Sequence, residues 1–441
     1  FKNFIENAYV TNNTLSLAYK GAHSSIRTSV NWTETKGLYP NSKYDKYAFS
    51  IVGDLNYGKL KLTANASYHK QASDNIGFNG YTSYDPMYTL LIWTAADYDV
   101  RDYKNNYWIT PDVKQNFTYQ STHNNPYYDR NERTKEINRD IFKTSLALNY
   151  GIFSWLKVSL RSGLDFYVKK EDLRISQGSY VTSGDTGACG AGTWAGKDTG
   201  LYATGRNSGF SMNNDLIVTA ERTFWEDYTI DALLGGTIFY KQDETLSGNT
   251  VNGLSVPGFY SLKASVDPAA VRSSAYKQQV NSIYGRIALS WKRMAFAEGT
   301  LRNDWSSTLP ETTRSYLYPS VSGSFVVSEL FSPSIKDWLD FWKFRGSWTV
   351  SKTPPGIYAI NTNYDVTNPA WGTLAGASMA KTLPEGEDVK PETASTFEIG
   401  TQLNFLENRF MIDITYYDKL MYNFIVKGKV SSASGFTNVF V

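Results

Sequence analysis

Asp185-Thr186-Gly187 has the form of the tripeptide that carries one carboxylate of an aspartic protease, but that chemistry needs two carboxylates sharing a proton, and no second copy occurs. A glycine-rich loop through Gly187, Gly190, Gly192 and Gly196 accounts for it better. No Lys-Ser/Thr follows that loop, so it is not a phosphate cradle. His23, His69 and His123 stand apart, without HExxH spacing or a companion cysteine pair, which argues against zinc. No GxSxG elbow offers a serine nucleophile. Glu385, Glu387 and Asp388 cluster in a polar loop and read as a solvated charge run rather than a calcium site. The expectation is a protein that is not an enzyme and holds no cofactor or metal.

Binding chemistry remains. Tyr107-Trp108, Tyr127-Tyr128, Trp194 and Trp371 fall in long polar stretches, where flat aromatic faces can stack on a solute, or bury themselves in loop packing and partner interfaces. Arg161, Asp165, Lys343, Arg345 and Glu398 sit on the polar side of alternating segments, where they meet either a passing solute or only water.

Both sets depend on strands for their placement. From Glu392 to Lys419 two amphipathic segments flank a turn at Glu407-Asn408: Phe397, Ile399, Leu403 and Phe405 alternate with polar neighbours, then Phe410, Ile412, Ile414 and Tyr416 do the same. Strand side chains alternate between faces, so this period of two means a sheet with one apolar and one wet side. Aromatic residues at the segment ends, such as Tyr416, Tyr417 and Tyr422, favour a membrane barrel over a soluble sandwich. The pattern recurs through the chain as about fifteen strands. Their connections alternate between short turns near 22, 58, 152, 224, 293, 333 and 407 and longer stretches at about 33–45, 70–138, 170–207, 241–278, 305–315 and 351–394. A barrel that keeps short turns on one side of a membrane and long loops on the other explains that alternation.

Composition agrees. The 441 residues are 41% hydrophobic and contain no run of 18 apolar residues, which excludes a helical membrane protein but not a barrel whose inner faces are wet. Net charge is +2, without a basic stripe for nucleic acid. The single cysteine, Cys189, can form no internal disulfide. Phe1 opens in mid-pattern without initiator Met or signal peptide, and bacterial single-chain barrels have even strand numbers; residues 1–441 are therefore expected to be one partial barrel domain of something larger.

Lys390-Pro391-Glu392-Thr393, Glu398-Ile399-Gly400, Asn408-Arg409-Phe410 and Thr415-Tyr416-Tyr417-Asp418-Lys419 resemble the PET, EIG, NRL and YYDK signatures of SusC/RagA-type TonB-linked outer-membrane transporters. Arg302, Asp304, Ser306 and Ser307 resemble that family's RxDxSS element, and Tyr318-Pro319-Ser320 its FPS. Leu15-Ser16-Leu17 near Lys20-Gly21 and Asn125-Pro126-Tyr127-Tyr128 also fit, in the expected order. One departure is clear: the family's SYGxTGN reads Ser347-Trp348-Thr349-Val350-Ser351-Lys352.

The resemblance implies an all-β, antiparallel transmembrane barrel of 22 strands in the bacterial outer membrane, with a plug domain and TonB box that lie outside this sequence. It further implies a SusD-like surface lipoprotein as a lid, and import of oligosaccharides or oligopeptides powered through TonB. In that setting the loop aromatics would meet substrate or lid, and the five charged residues would face lumen and plug. A siderophore or cobalamin receptor, a surface adhesin and a barrel enzyme are the alternatives.

Overall fold

The protein, seen in a computed structural model, is described at residues 2–77, 85–95, 97–116, 123–179, 199–361, 364–371, 374–379, 382–383, 389–436 and 438–440. Fourteen strands form one antiparallel sheet in which every strand pairs with its neighbours in sequence. They are β1 (Tyr9–Lys20), β2 (Ser24–Lys36), β3 (Lys43–Tyr57), β4 (Leu60–Ser73), β5 (Arg133–Phe153), β6 (Leu156–Ile175) and β7 (Leu201–Phe224). Then follow β8 (Tyr228–Leu254), β9 (Ser265–Trp291), β10 (Ala295–Ser306), β11 (Ser315–Val326), β12 (Leu339–Thr353), β13 (Glu392–Phe405) and β14 (Phe410–Tyr422). β1 and β14 are the edges and do not pair with each other.

Strand order explains where the connections lie. Because each strand reverses the last, short and long connections fall on opposite ends. At the short end, the β7–β8 turn places Trp225 and Glu226 at φ 47° and 61°, the left-handed geometry whose twist suits a tight hairpin.

The outward face is apolar and uncovered. Leu234, Ile283, Ile287, Ile399 and Ile414 are all exposed, at 50–61% of their surface. Such a continuous apolar exterior is untenable in water and fits a bilayer, where the hydrocarbon is the solvent. Two aromatic rows bound it. In the upper row Tyr68, Phe142, Phe166 and Phe210 stand directly opposite one another across β4 to β7, and Trp348 stands opposite Phe397. The lower row includes Tyr57, Tyr150, Trp155 and Tyr228, all exposed. On β5 the rows are eight residues apart, Phe142 to Tyr150. At about 3.3 Å per residue and a tilt of about 40°, that is roughly 20 Å, close to the apolar height of an outer-membrane barrel.

Two expectations change. The sheet has fourteen strands, not about fifteen, because the stretch after Tyr422 leaves it: Asn423 turns at φ 57°, and Lys427–Lys429 joins a separate three-stranded sheet. Ile425 is drawn into a cluster with Leu309, Tyr316 and Val389 at the long-loop end. Several stretches read as loops are strand. β6 to β9 run well past the upper row, and the connection between β8 and β9 shrinks from 241–278 to 255–264. Above the bilayer both faces of a strand are wet, so segments such as Lys241-Gln242-Asp243-Glu244 lose the alternation that marks strands within it.

Two clusters of buried apolar residues lie at the long-loop end. Phe4, Leu90, Val100 and Tyr127 form one such cluster, with Tyr39, Tyr98, Tyr103 and Tyr107 against it.

Candidate functional site

The inward face near the short-turn end carries two arginine bridges. Arg286 on β9 bridges two neighbouring strands, with Nη2 2.6 Å from Asp231 Oδ1 on β8 and Nη1 3.1 Å from Glu298 Oε2 on β10. Arg345 on β12 reaches across β13 to β14, donating from Nη2 to Asp413 Oδ1 and Thr415 Oγ1, both at 2.6 Å, and from Nη1 to Asp413 Oδ2 at 3.2 Å. Gly400 makes this reach possible, because a Cβ there would lie 3.0 Å from Arg345 Nε. The glycine of the Glu398-Ile399-Gly400 motif thus leaves room for an arginine from the next strand.

Between the two bridges lies a cavity of about 410 Å³, lined by Lys343, Arg345, Glu398, Ser322, Ser324 and Phe296 among others. Three of the five charged residues singled out in the sequence, Lys343, Arg345 and Glu398, meet there. Arg161 and Asp165 do not. They lie on β6, where Arg161 stands opposite Asp215, and Asp165 makes a long, exposed contact with Lys143 (3.9 Å). Asp231, Arg286, Glu298 and Asp413 were not singled out. Alternation within their strands puts them on the wet face, but only the cross-strand register shows that they pair.

The second site is the loop core at the opposite end. The helix Pro126–Asn131 starts at Asn125, whose Oδ1 accepts from Tyr127 N at 2.9 Å, with Pro126 at the first helical position. Tyr127 and Tyr128 are 2% and 0% exposed, so here both rings pack inside the loop core. Tyr127 meets Phe4 edge-on at 5.1 Å, and Tyr128 meets Trp108 edge-on at the same distance. Tyr107 and Trp108 are half-buried and share an acceptor: Tyr107 Oη and Trp108 Nε1 donate to Glu132 Oε1 at 3.2 and 3.3 Å. Burial raises the phenols of Tyr107, Tyr127 and Tyr128, which stay neutral donors at physiological pH. Arg130 is 1% exposed and donates to the backbone carbonyls of Pro40 and Asn41, both at 2.8 Å, tying the helix to the β2–β3 loop.

Trp371 lies in the strand Tyr364–Trp371 and pairs with Leu374. Trp194, the Asp185-Thr186-Gly187 tripeptide, Cys189 and the cluster Glu385, Glu387 and Asp388 lie outside the described residues. Among the described residues no group of three His, Cys, Asp or Glu side chains is placed to hold a metal.

Residues of the RxDxSS-like element turn out to lock the wall. Arg302 Nε donates to Asp304 Oδ1 at 2.8 Å and Nη2 to Ser282 Oγ at 2.9 Å, while Tyr318 Oη donates to Asp304 Oδ2 at 2.8 Å. Ser307 Oγ accepts from Gln279 N at 2.9 Å, tying the β10–β11 loop back to β9.

An open antiparallel sheet with an apolar outer face, a charged inner face and all long loops at one end defines an outer-membrane receptor barrel. The chain belongs to the TonB-dependent receptor-like β-barrel family, whose model matches residues 92–440. That family consists of transporters rather than enzymes. The chain is 20% identical over 442 aligned residues to TonB-dependent receptor P26 of Formosa agariphila, covering 98% of this chain and 42% of that one. Its fold matches the RagAB peptide importer in the open-open state at a TM-score of 0.76, with 15% identity, over 100% of this chain and 46% of that one. It also matches the ferric-catecholate import receptor Fiu of E. coli at 0.55, with 13% identity, over 97% of this chain and 59% of that one. The chain therefore spans less than half the length of the curated relative and of the RagAB chain.

Proposed function

We propose that these strands are part of the wall of an active importer that takes oligosaccharides or oligopeptides across the outer membrane, coupled to TonB through a plug and closed outside by a SusD-like lipoprotein. The observation that carries this is the inner wall. Lys343 and Glu398 line the same cavity without an ion pair to each other, between two arginine bridges that are already satisfied. Both signs of charge in one wet concavity suit a zwitterionic solute or a polar plug surface better than a uniformly charged metal chelate. The fold also follows the RagAB peptide importer more closely than the siderophore receptor Fiu, which favours peptides within the proposed class. At the outer end, Tyr107 and Trp108 present the ring surface open to a solute or lid, with Tyr127 and Tyr128 as their buried support; Trp371 and Trp194 remain part of the same proposed aromatic set.

The test is uptake in cells lacking the parent gene, supplied with defined peptide mixtures, oligosaccharides or iron chelates. The expected result is loss of peptide or oligosaccharide uptake, restored by the wild-type gene and only partly by Lys343→Ala/Glu398→Ala at equal barrel abundance. Loss confined to iron chelates would make the protein a siderophore receptor, and unchanged uptake of all three would remove the importer reading. Purification in mild detergent should bring down a stoichiometric surface lipoprotein; recovery of the barrel alone would remove the lid.

A further inference from the structure

The outward wall carries one arrangement that neither the barrel nor transport requires. Just above the upper aromatic row, Lys170 on β6 stands directly opposite Arg206 on β7. Like charges facing each other across a strand pair are destabilising, so their juxtaposition calls for a compensating anion. Lys170 Nζ has a partial answer in Asp172 Oδ2 at 2.8 Å. Arg206 is exposed and has no ion-pair partner among the described residues. Glu244, one diagonal step away on β8, accepts a hydrogen bond from Gln242 Nε2 at 2.7 Å, and Lys277 adds a third cation opposite Gln242 on β9.

The surroundings have the shape of a ligand site. Two adjoining hollows of about 550 and 300 Å³ share Arg206 and Leu246. The smaller has an apolar floor of Leu246, Leu262 and Val271, deepened by Gly205 and Gly248. Downwards on the same face the lane becomes apolar: Val168 and Phe166 on β6, Phe210 and Met212 on β7, Tyr240 and Ile238 on β8. Lys170 lies four residues beyond Phe166, roughly 10 Å above the aromatic row at the usual strand rise and tilt. That is the height of the headgroup layer.

We propose that this outward notch binds the phosphorylated headgroup of an outer-leaflet glycolipid. Arg206 and Lys170 take the phosphate, the guanidinium offering a paired donor fork. The acyl chains lie along the Phe166, Phe210 and Met212 lane. This rests on where the barrel sits in the membrane and is independent of what it imports.

The experiment uses the complete polypeptide purified from outer membranes, stripped of lipid by detergent exchange. It is titrated with bis-phosphorylated lipid A and with the same lipid after dephosphorylation, and bound lipid is read by native mass spectrometry. Wild-type protein should hold the phosphorylated lipid at least tenfold more tightly, and less so as salt rises. Removing both charges in Lys170→Gln/Arg206→Gln should weaken it by about thirtyfold, from roughly a fivefold effect per cation. Arg206→Lys should restore part of the loss, which a merely misfolded variant could not do. Equal binding of the two lipids, or unchanged binding by a folded double variant, would overturn the proposal. So would displacement of the lipid by millimolar inorganic phosphate, which would make this a free-anion site.

Discussion

Asp129 is a buried carboxyl of the loop core. It is 3% exposed, accepts from Asn124 Nδ2 at 2.7 Å through Oδ1, and has no hydrogen-bond partner at Oδ2 among the described residues. Burial pushes its carboxyl up to about 7, against the opposing pull of Arg133 and Arg130. A raised carboxylate favours folding while it holds its proton. Its contribution is whole below the ordinary value near 3.8, declines as pH climbs, and is lost once pH passes about 7. Hydrogen exchange at residues 124–131, corrected for intrinsic rates, should show more protection at pH 5 than at pH 8, and Asp129→Asn should flatten that difference. A slope that persists in Asp129→Asn would assign the titration elsewhere. Nothing in the sequence marks Asp129 out, because its partner Asn124 is itself held in space by Gln115 and Ser179. The aromatic pairs beside it were legible as loop residues, but whether a ring faces solvent or core is decided by contacts far away in sequence, such as Tyr128 Oη donating to Ser176 O, 48 positions on, at 2.7 Å.

Strands within the bilayer were readable because two solvents impose the alternation: hydrocarbon outside, water inside. Where β6 to β9 rise into water on both sides, the pattern vanishes although the ladder continues through Val251↔Asp267. Register, which the sequence does not encode locally, builds the inner wall. Gly235 on β8 shows this. A Cβ there would sit 2.5 Å from the ring of Tyr284 on β9, and the Arg302 guanidinium lies 5.3 Å from the centroid of that same ring. The glycine, the ring and the guanidinium form one stack across three strands. Gly235→Ala should displace the ring and cost about 1–3 kcal/mol, as overpacking does. Gly299→Ala on β10, where nothing lies within 4 Å of the added Cβ, should be neutral or slightly stabilising. Thermal midpoints of the two variants in detergent make the comparison. Equal shifts would mean that the close approach at Gly235 has no energetic weight.

For the molecule as a whole, the decisive feature is the pair of uncovered edges. β1 and β14 are exposed along their full 12 and 13 residues. Each leaves its outward-directed N–H and C=O groups without strand partners, at several kcal/mol apiece in hydrocarbon. Other polypeptide must cover both edges, or they must meet each other. A fourteen-stranded closure is disfavoured by the sheet itself, whose two edges remain apart while all thirteen internal seams are formed. Further strands between β14 and β1 in the finished barrel would keep these edges separated in the membrane. Cysteines placed at Leu17 and Ile414 in the complete protein should therefore fail to cross-link under oxidation. A matched pair at Leu15 and Val30, direct partners across β1 and β2, supplies the positive control. Residues 1–441 produced alone should not give an inserted, detergent-resistant barrel. An efficient Leu17–Ile414 cross-link, or stable insertion of the isolated segment, would show instead that these fourteen strands close on themselves.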